Sequence, residues 1–199
     1  MQALERKAVT SMKQNQAERQ DSEYIRHGTQ CLIANLEVAT GQIVHSTVQD
    51  TRTEQDFLEH IRRTVNTDPG GQWIFIADQL NTHKSESLVK YVAEHCGTAG
   101  DLGVKGKQGI LHTMESRMNF LSNPDHLIRF VYTPKHASWL NQIECWFSSI
   151  SKHLLRRLSV TSKGKLRDLV LQYIDYYNRV MAKPFNWLYR GKAKGALVC

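Results

Sequence analysis

The alternation of apolar and polar positions predicts strands and amphipathic helices along most of the chain. Residues 29–39 and 42–48 are two strand-like runs on either side of a turn at Gly41, and together they predict a β-hairpin. Thr53 and Asp56 have a spacing similar to that of a capping box. A helix is therefore expected to begin at this point.

The second half of the chain continues with alternating strands and helices. Residues 73–77 predict a strand buried on both faces, and the apolar run from Ile128 to Pro134 predicts another. Ser85 is placed to cap the helix between them. Parallel strands after a starting hairpin predict an α/β sheet. The last two helices have apolar stripes, formed by Ile143, Phe147, Ile150, Leu154 and Leu158 and by Leu166, Leu169, Val170, Tyr173, Ile174 and Tyr177.

Three segments lack this regular patterning. Residues 1–23 are polar and predict an extended or irregular arm, and residues 191–199 predict a basic, frayed tail. Residues 97–127 form an irregular insertion rich in glycine and lysine, within which residues 113–121 predict a short helix. The whole chain, residues 1–199, is expected to form one domain.

The composition narrows the class of protein. The net charge of +7 and the isoelectric point near 9.3 suggest a polyanionic partner, although a basic protein without one has the same composition. No long apolar run or signal-peptide core is present, so the cytoplasm or nucleoid is the expected location. The cysteines lack CxxC pairing and favour free thiols in a reducing compartment: Cys31, Cys96, Cys145 and Cys199.

Two acids stand where a metal site would be expected. Asp78 follows a predicted strand, and ligands of open α/β sheets bind beyond the carboxyl ends of the strands. Glu144 lies in the first turn of a later helix, where the helix dipole alone also favours a carboxylate. Carboxylates suit Mg²⁺, which prefers hard oxygen ligands and keeps several waters. Asn81, His83 and Asn141 lie close enough in sequence to support the site, although His83 also suits a helix entry and Asn141 a helix N-cap.

Basic residues flank these acids. The segment 100–109 is not a P-loop, because its glycine spacing differs and Gln108 replaces the Ser or Thr that binds magnesium. It is either a basic loop that contacts phosphates or an ordinary solvated loop. The same two alternatives apply to the basic face after Glu144. The candidate DNA-binding residues are Lys105, Lys107, Lys135, His136, Lys152, Arg156 and Arg157.

Two sequence blocks resemble a known family. DQLNTH, residues 78–83, and YTPKHASWLNQIECWF, residues 132–147, resemble the second and third catalytic blocks of the DDE transposases of the IS630 group, which are related to Tc1/mariner elements. The resemblance extends weakly over nearly the whole chain. It implies an RNase H-like mixed sheet flanked by helices, with Asp78 and Glu144 as catalytic ligands of two Mg²⁺ or Mn²⁺ ions. It also implies DNA cleavage and strand transfer, with transposon ends and target DNA as partners and assembly into multimers.

The chain departs from this family pattern at its beginning. The family uses three acids, and the first lies on a central strand that precedes the equivalent of QALERK, residues 2–7. No apolar run precedes Glu5, Asp21 or Glu23, so the resemblance implies a catalytic domain that lacks its first strand. We therefore expect very weak or no catalysis by this chain alone, unless an upstream polypeptide supplies that strand. The competing hypotheses are a non-catalytic DNA-binding remnant and another metal-dependent nuclease of RNase H-like fold.

Overall fold

The computed structural model describes residues 1–6, 23–98, 100–135 and 140–184, and these form six strands and five α-helices. None of the helices in these ranges is long and apolar enough to cross a bilayer. The strands are β1 (Gln2–Arg6), β2 (Tyr24–Thr29), β3 (Cys31–Leu36), β4 (Ile43–Gln49), β5 (Trp73–Ala77) and β6 (Ile128–Tyr132). The helices are α1 (Glu54–Val65), α2 (Glu86–His95), α3 (Met114–Leu121), α4 (Ile143–His153) and α5 (Lys163–Tyr176).

The described strands pair as three two-stranded sheets. β3 and β4 form the predicted hairpin, and Gly41 adopts φ +74 in its turn, which favours glycine. β5 and β6 are parallel, as predicted for the strands that follow the hairpin. The mixed α/β class is therefore confirmed, although residues 29–39 do not form one strand. β2 ends at Thr29 and β3 begins at Cys31.

The first residues differ from the predicted arm. Gln2–Arg6 form β1, which pairs antiparallel with β2. Ala3 is fully buried, so this strand contributes an apolar side chain to the core although three of its five residues are polar. The terminal ammonium of Met1 also donates a hydrogen bond to the carbonyl of Gln30. The rest of the predicted arm, residues 7–22, lies outside the described residues.

The helix starts follow from local capping. The hydroxyl of Thr53 accepts a hydrogen bond from the Asp56 N–H, and the Asp56 carboxylate accepts one from the Thr53 N–H. Ser85 caps α2 by accepting a hydrogen bond from the Leu88 N–H. These contacts satisfy N–H groups that have no partner within the helix. Both predicted helix starts are confirmed, as is the short helix α3 within the insertion.

Two apolar cores hold the described elements together. The first packs α1, α2 and α3 against β5 and β6, with Phe130 and Leu88 fully buried. The second packs α4 and α5 against β1, β3 and β4, with Ile150 and Leu166 buried. Both predicted apolar stripes lie in this second core. Trp146 is also buried there, which makes it a packing residue.

The strand β5 is not buried on both faces as predicted. Ile74 and Ile76 are 61% and 49% exposed, because only the face with Trp73 and Phe75 packs against the first core. The exposed face borders a cavity of about 540 Å³ that β3 lines from the other side. Neither β3 nor β5 has a second hydrogen-bonded neighbour among the described strands.

Candidate functional site

Asp78 lies immediately after β5, at the carboxyl end of the parallel pair. Its Oδ1 accepts a hydrogen bond from the Leu80 N–H at 3.0 Å, a local contact typical of aspartate in turns. The same oxygen lies 2.8 Å from Nδ1 of His83. The side chain is 46% exposed, and its Oδ2 has no partner among the residues that the structure describes. One carboxylate oxygen is thus held by the protein while the other remains available to a ligand.

His83 lies in a 3₁₀ turn, Asn81–Lys84, directly after this acid. Its ring packs on Phe57 with the centroids 4.3 Å apart. Burial lowers the pKa of His83 because it disfavours the imidazolium, while the nearby Asp78 opposes this shift. The short Nδ1–Oδ1 contact lacks the alignment of a regular hydrogen bond. His83 therefore orients the Asp78 carboxylate mainly as a packed, neutral ring.

Glu144 lies in the first turn of α4, as predicted. The opposite side of this helix is anchored in the second core by Trp146 and Ile150, so Glu144 is left exposed. Its carboxylate has no ion pair within the described ranges. The N-cap position belongs to Gln142, which makes no side-chain capping bond. Asn141 therefore does not cap the helix through its side chain, although its carbonyl accepts a hydrogen bond from the Glu144 N–H at 3.0 Å.

Asp78 and Glu144 line the same cavity, which has a volume of about 310 Å³. Asp78, Glu144, His83 and Asn141 all contribute to its wall, although they come from elements that are distant in the sequence. Arg52 also lines the cavity, and the sequence pattern did not indicate it as a site residue. A single arginine between a strand and a helix carries no motif, so no local signal marked it as part of a site.

Asn81 does not lie on this cavity. It is exposed on the 3₁₀ turn, and Thr82 contributes to the wall instead. The reason is the tight turn between β5 and α2, which directs neighbouring side chains to different sides. The prediction that Asn81 supports the acids therefore has no geometric support.

The predicted DNA-binding residues of the insertion project from a tight turn. Val104 and Gln108 form an isolated β-bridge, which brings Lys105 and Lys107 to an exposed tip. Lys135 is exposed after β6. His136, which is also a candidate DNA-binding residue, lies outside the described residues.

The basic residues after Glu144 belong to two elements. α4 ends at His153, and Leu155–Arg157 form a separate 3₁₀ turn, so Arg156 and Arg157 do not continue the helix as expected. Both arginines and Lys152 are exposed. A shallow surface concavity of about 550 Å³ is formed by Ser148, Ser151, Lys152, Leu155 and Arg156. Hydroxyl and cationic groups are suitable donors to an anion at this surface.

The acidic side chains that line the cavity are of the type that divalent cations bind. Asp78 and Glu144 supply exposed carboxylates, and Mg²⁺ usually takes only one or two of these together with water and phosphate. Within the described ranges, no three His, Cys, Asp or Glu side chains are grouped closely enough to enclose a metal ion. Among the described residues, the cavity offers two carboxylates to such an ion.

Comparisons with curated proteins and with solved structures gave no match. A family model described as DDE superfamily endonuclease matches residues 2–167, which include both acids and the cavity that they line. The mixed α/β architecture with short sheets and five helices fits a DDE/RNase H-like domain. Because the match covers most of the chain, the protein belongs to the DDE superfamily endonucleases.

Proposed function

We propose that this chain is a catalytic domain of a transposase of the IS630 group, related to Tc1/mariner, which acts in DNA cleavage and strand transfer. Membership in the DDE superfamily implies DNA as the substrate. The observation that carries the proposal is that Asp78 and Glu144 line one solvent-open cavity. The net charge of +7 also suits DNA, which would associate the protein with the nucleoid.

DDE superfamily endonucleases generally use divalent metals. In our proposal Asp78 and Glu144 hold Mg²⁺ or Mn²⁺, with two ions in the completed domain. When bound, such ions activate a water or a 3′-hydroxyl and stabilise the leaving oxygen of a phosphodiester. His83 keeps the Asp78 carboxylate in position at 2.8 Å, and Asn141 presents a polar group to the same cavity. Arg52 offsets the negative charge of a phosphate that enters.

We further propose that an added strand completes the sheet between β3 and β5. Support comes from the cavity of about 540 Å³ between them and from the exposed Ile74 and Ile76 along its wall. Unpaired strand edges of this kind accept an extended segment through backbone hydrogen bonds. An upstream polypeptide would supply the strand together with the third acid, and copies of the protein would assemble on paired DNA ends.

Without that strand, we expect residues 1–199 to show very weak or no catalysis. Nicking of supercoiled DNA in Mg²⁺ by the purified chain tests this expectation, and clear nicking that disappears in Asp78→Asn would contradict it.

A non-catalytic DNA-binding remnant is the second candidate function, favoured by the exposed basic surface at Lys152 and Arg156. This remnant would bind DNA with an affinity that Mn²⁺ does not change.

Calorimetric titration with Mn²⁺ tests the metal site itself. We expect Asp78→Asn and Glu144→Gln each to weaken binding by at least about tenfold, since each removes one anionic ligand. Glu115→Gln is the matched control, because Glu115 is also an exposed acid in the first turn of a helix but lies away from the cavity. Equal Mn²⁺ affinity in all the folded proteins would refute the assignment.

A further inference from the structure

Lys84 is a buried cation close to the candidate site. It ends the 3₁₀ turn that carries His83, and only 7% of its surface is exposed. Lysine is rarely buried to this degree unless it has a charged partner. Lys84 does not line the cavity of Asp78 and Glu144, and it belongs to no basic cluster of the sequence.

The ammonium of Lys84 is held where β5 and β6 end. Its Nζ donates a hydrogen bond to Oε1 of Gln79 at 2.8 Å, and the Gln79 amide donates to the Thr133 carbonyl at 2.8 Å. Nζ also lies 5.5 Å from the centre of the Tyr132 ring. The Tyr132 hydroxyl donates to the His83 carbonyl at 2.7 Å. These contacts connect both strand ends and fix the cation on the same edge as Asp78.

The charge of Lys84 is not neutralised by a direct ion pair. No carboxylate of the described residues lies within 4.0 Å of its ammonium, whereas Lys90 and Lys163 pair with Glu86 and Asp50. An ammonium has three N–H donors, and Gln79 accepts from only one of them. A buried cation with a neutral acceptor and no anion is costly, so the site favours a negatively charged ligand.

A second cation lies within electrostatic reach of the first. Burial lowers the pKa of Lys84, and repulsion by Lys135 lowers it further, while Asp78 opposes both effects. Lys135 is exposed and lies two residues after Thr133, whose carbonyl is connected through the Gln79 side chain to the Lys84 ammonium. Lys84 and Lys135 therefore both lie at the strand ends that follow β5 and β6, where they are placed to share one anion.

We propose that Lys84 and Lys135 together bind one backbone phosphate of the DNA strand that is presented to Asp78. The proposal rests on the proposed function, because it names how that site holds its substrate. Lys84 contributes a preoriented donor held by Gln79 and Tyr132, and Lys135 contributes an exposed one. The pair acts in substrate positioning, and metal binding by Asp78 does not require it.

The salt dependence of DNA binding tests this proposal. The affinity of the full chain for a short fluorescent duplex is measured at several salt concentrations for Lys84→Met, Lys135→Met and the double variant. Loss of one phosphate contact reduces the slope of log affinity against log salt by about 0.9. We expect this loss in each single variant and, because the phosphate is shared, nearly the same loss in the double variant.

Two further variants separate binding from folding. Lys84→Arg keeps the charge and should retain most of the slope, while Lys90→Met removes an exposed lysine of α2 and should leave it unchanged. A lower melting temperature with an unchanged slope in Lys84→Met would show a purely structural role and overturn the proposal. If Lys84→Met does not fold, an unchanged slope in Lys135→Met overturns it. Absence of DNA binding by the unmodified chain would instead refute the proposed function.

Discussion

His60 should make the stability of this protein depend on pH. The residue is fully buried in α1, where its Nδ1 lies 2.9 Å from the Thr47 hydroxyl and its Nε2 has no hydrogen-bond partner in the described structure. Its ring lies 5.0 Å from that of His45. Burial, together with the charges of His45 and Arg63, lowers the pKa of His60 to about 3. The folded state therefore holds this imidazole neutral.

The size and sign of the effect follow from the two pKa values. The unfolded chain has a histidine pKa near 6.5 and binds a proton that folded His60 does not bind until about pH 3. The free energy of unfolding therefore falls as the pH falls from 6.5 towards 3, by about 1.4 kcal/mol per pH unit. The expected contribution is a loss of about 2 kcal/mol at pH 5, where 1.5 units separate the solution pH from the unfolded value.

Urea unfolding at pH 7, 6 and 5 measures this contribution. His45 and His83 also have pKa values lowered by burial, so the difference between the unmodified chain and His60→Gln isolates the effect of His60. We expect the loss between pH 7 and pH 5 to shrink by about 2 kcal/mol in this variant. His112→Gln, at an exposed position, should leave the loss unchanged. A folded His60→Gln protein with the full pH dependence would refute the reasoning.

Two other substitutions test the packing that supports the site. Leu88→Ala leaves a cavity at a fully buried position in the first core and should lower the free energy of unfolding by about 3 kcal/mol. Leu171 is partly exposed, so Leu171→Ala should lower it by less than about 1 kcal/mol. Denaturant unfolding of both variants measures the difference. Gly41→Ala places a Cβ 1.9 Å from the Lys183 carbonyl at a position with φ +74, so its melting temperature should fall by several degrees. Gly70→Ala has open space around the new methyl group, and an equal loss there would contradict this account.

Local chemistry explains which elements could be predicted. The capping bonds of Thr53 and Ser85 involve residues three positions apart, so the sequence alone marks both helix starts. The hairpin turn at Gly41 and the first-turn position of Glu144 also depend on neighbours within a few residues. The same reasoning placed Asp78 at a strand end. All of these features are properties of a short stretch of chain.

The tertiary structure alone decided which of these residues meet. The sequence pattern did not predict the strand β1, because three of its five residues are polar; in the structure it pairs with β2. Ile74 is apolar but exposed, since no described element covers its face of β5. Arg52 carries no motif, and it lines the same cavity as Asp78 only when distant strand and helix ends converge. Lys84 lies close to Asp78 in sequence, but its contact with the Tyr132 ring comes from the distant strand β6. Contacts between distant segments depend on how whole elements pack, which a pattern of neighbouring residues does not encode.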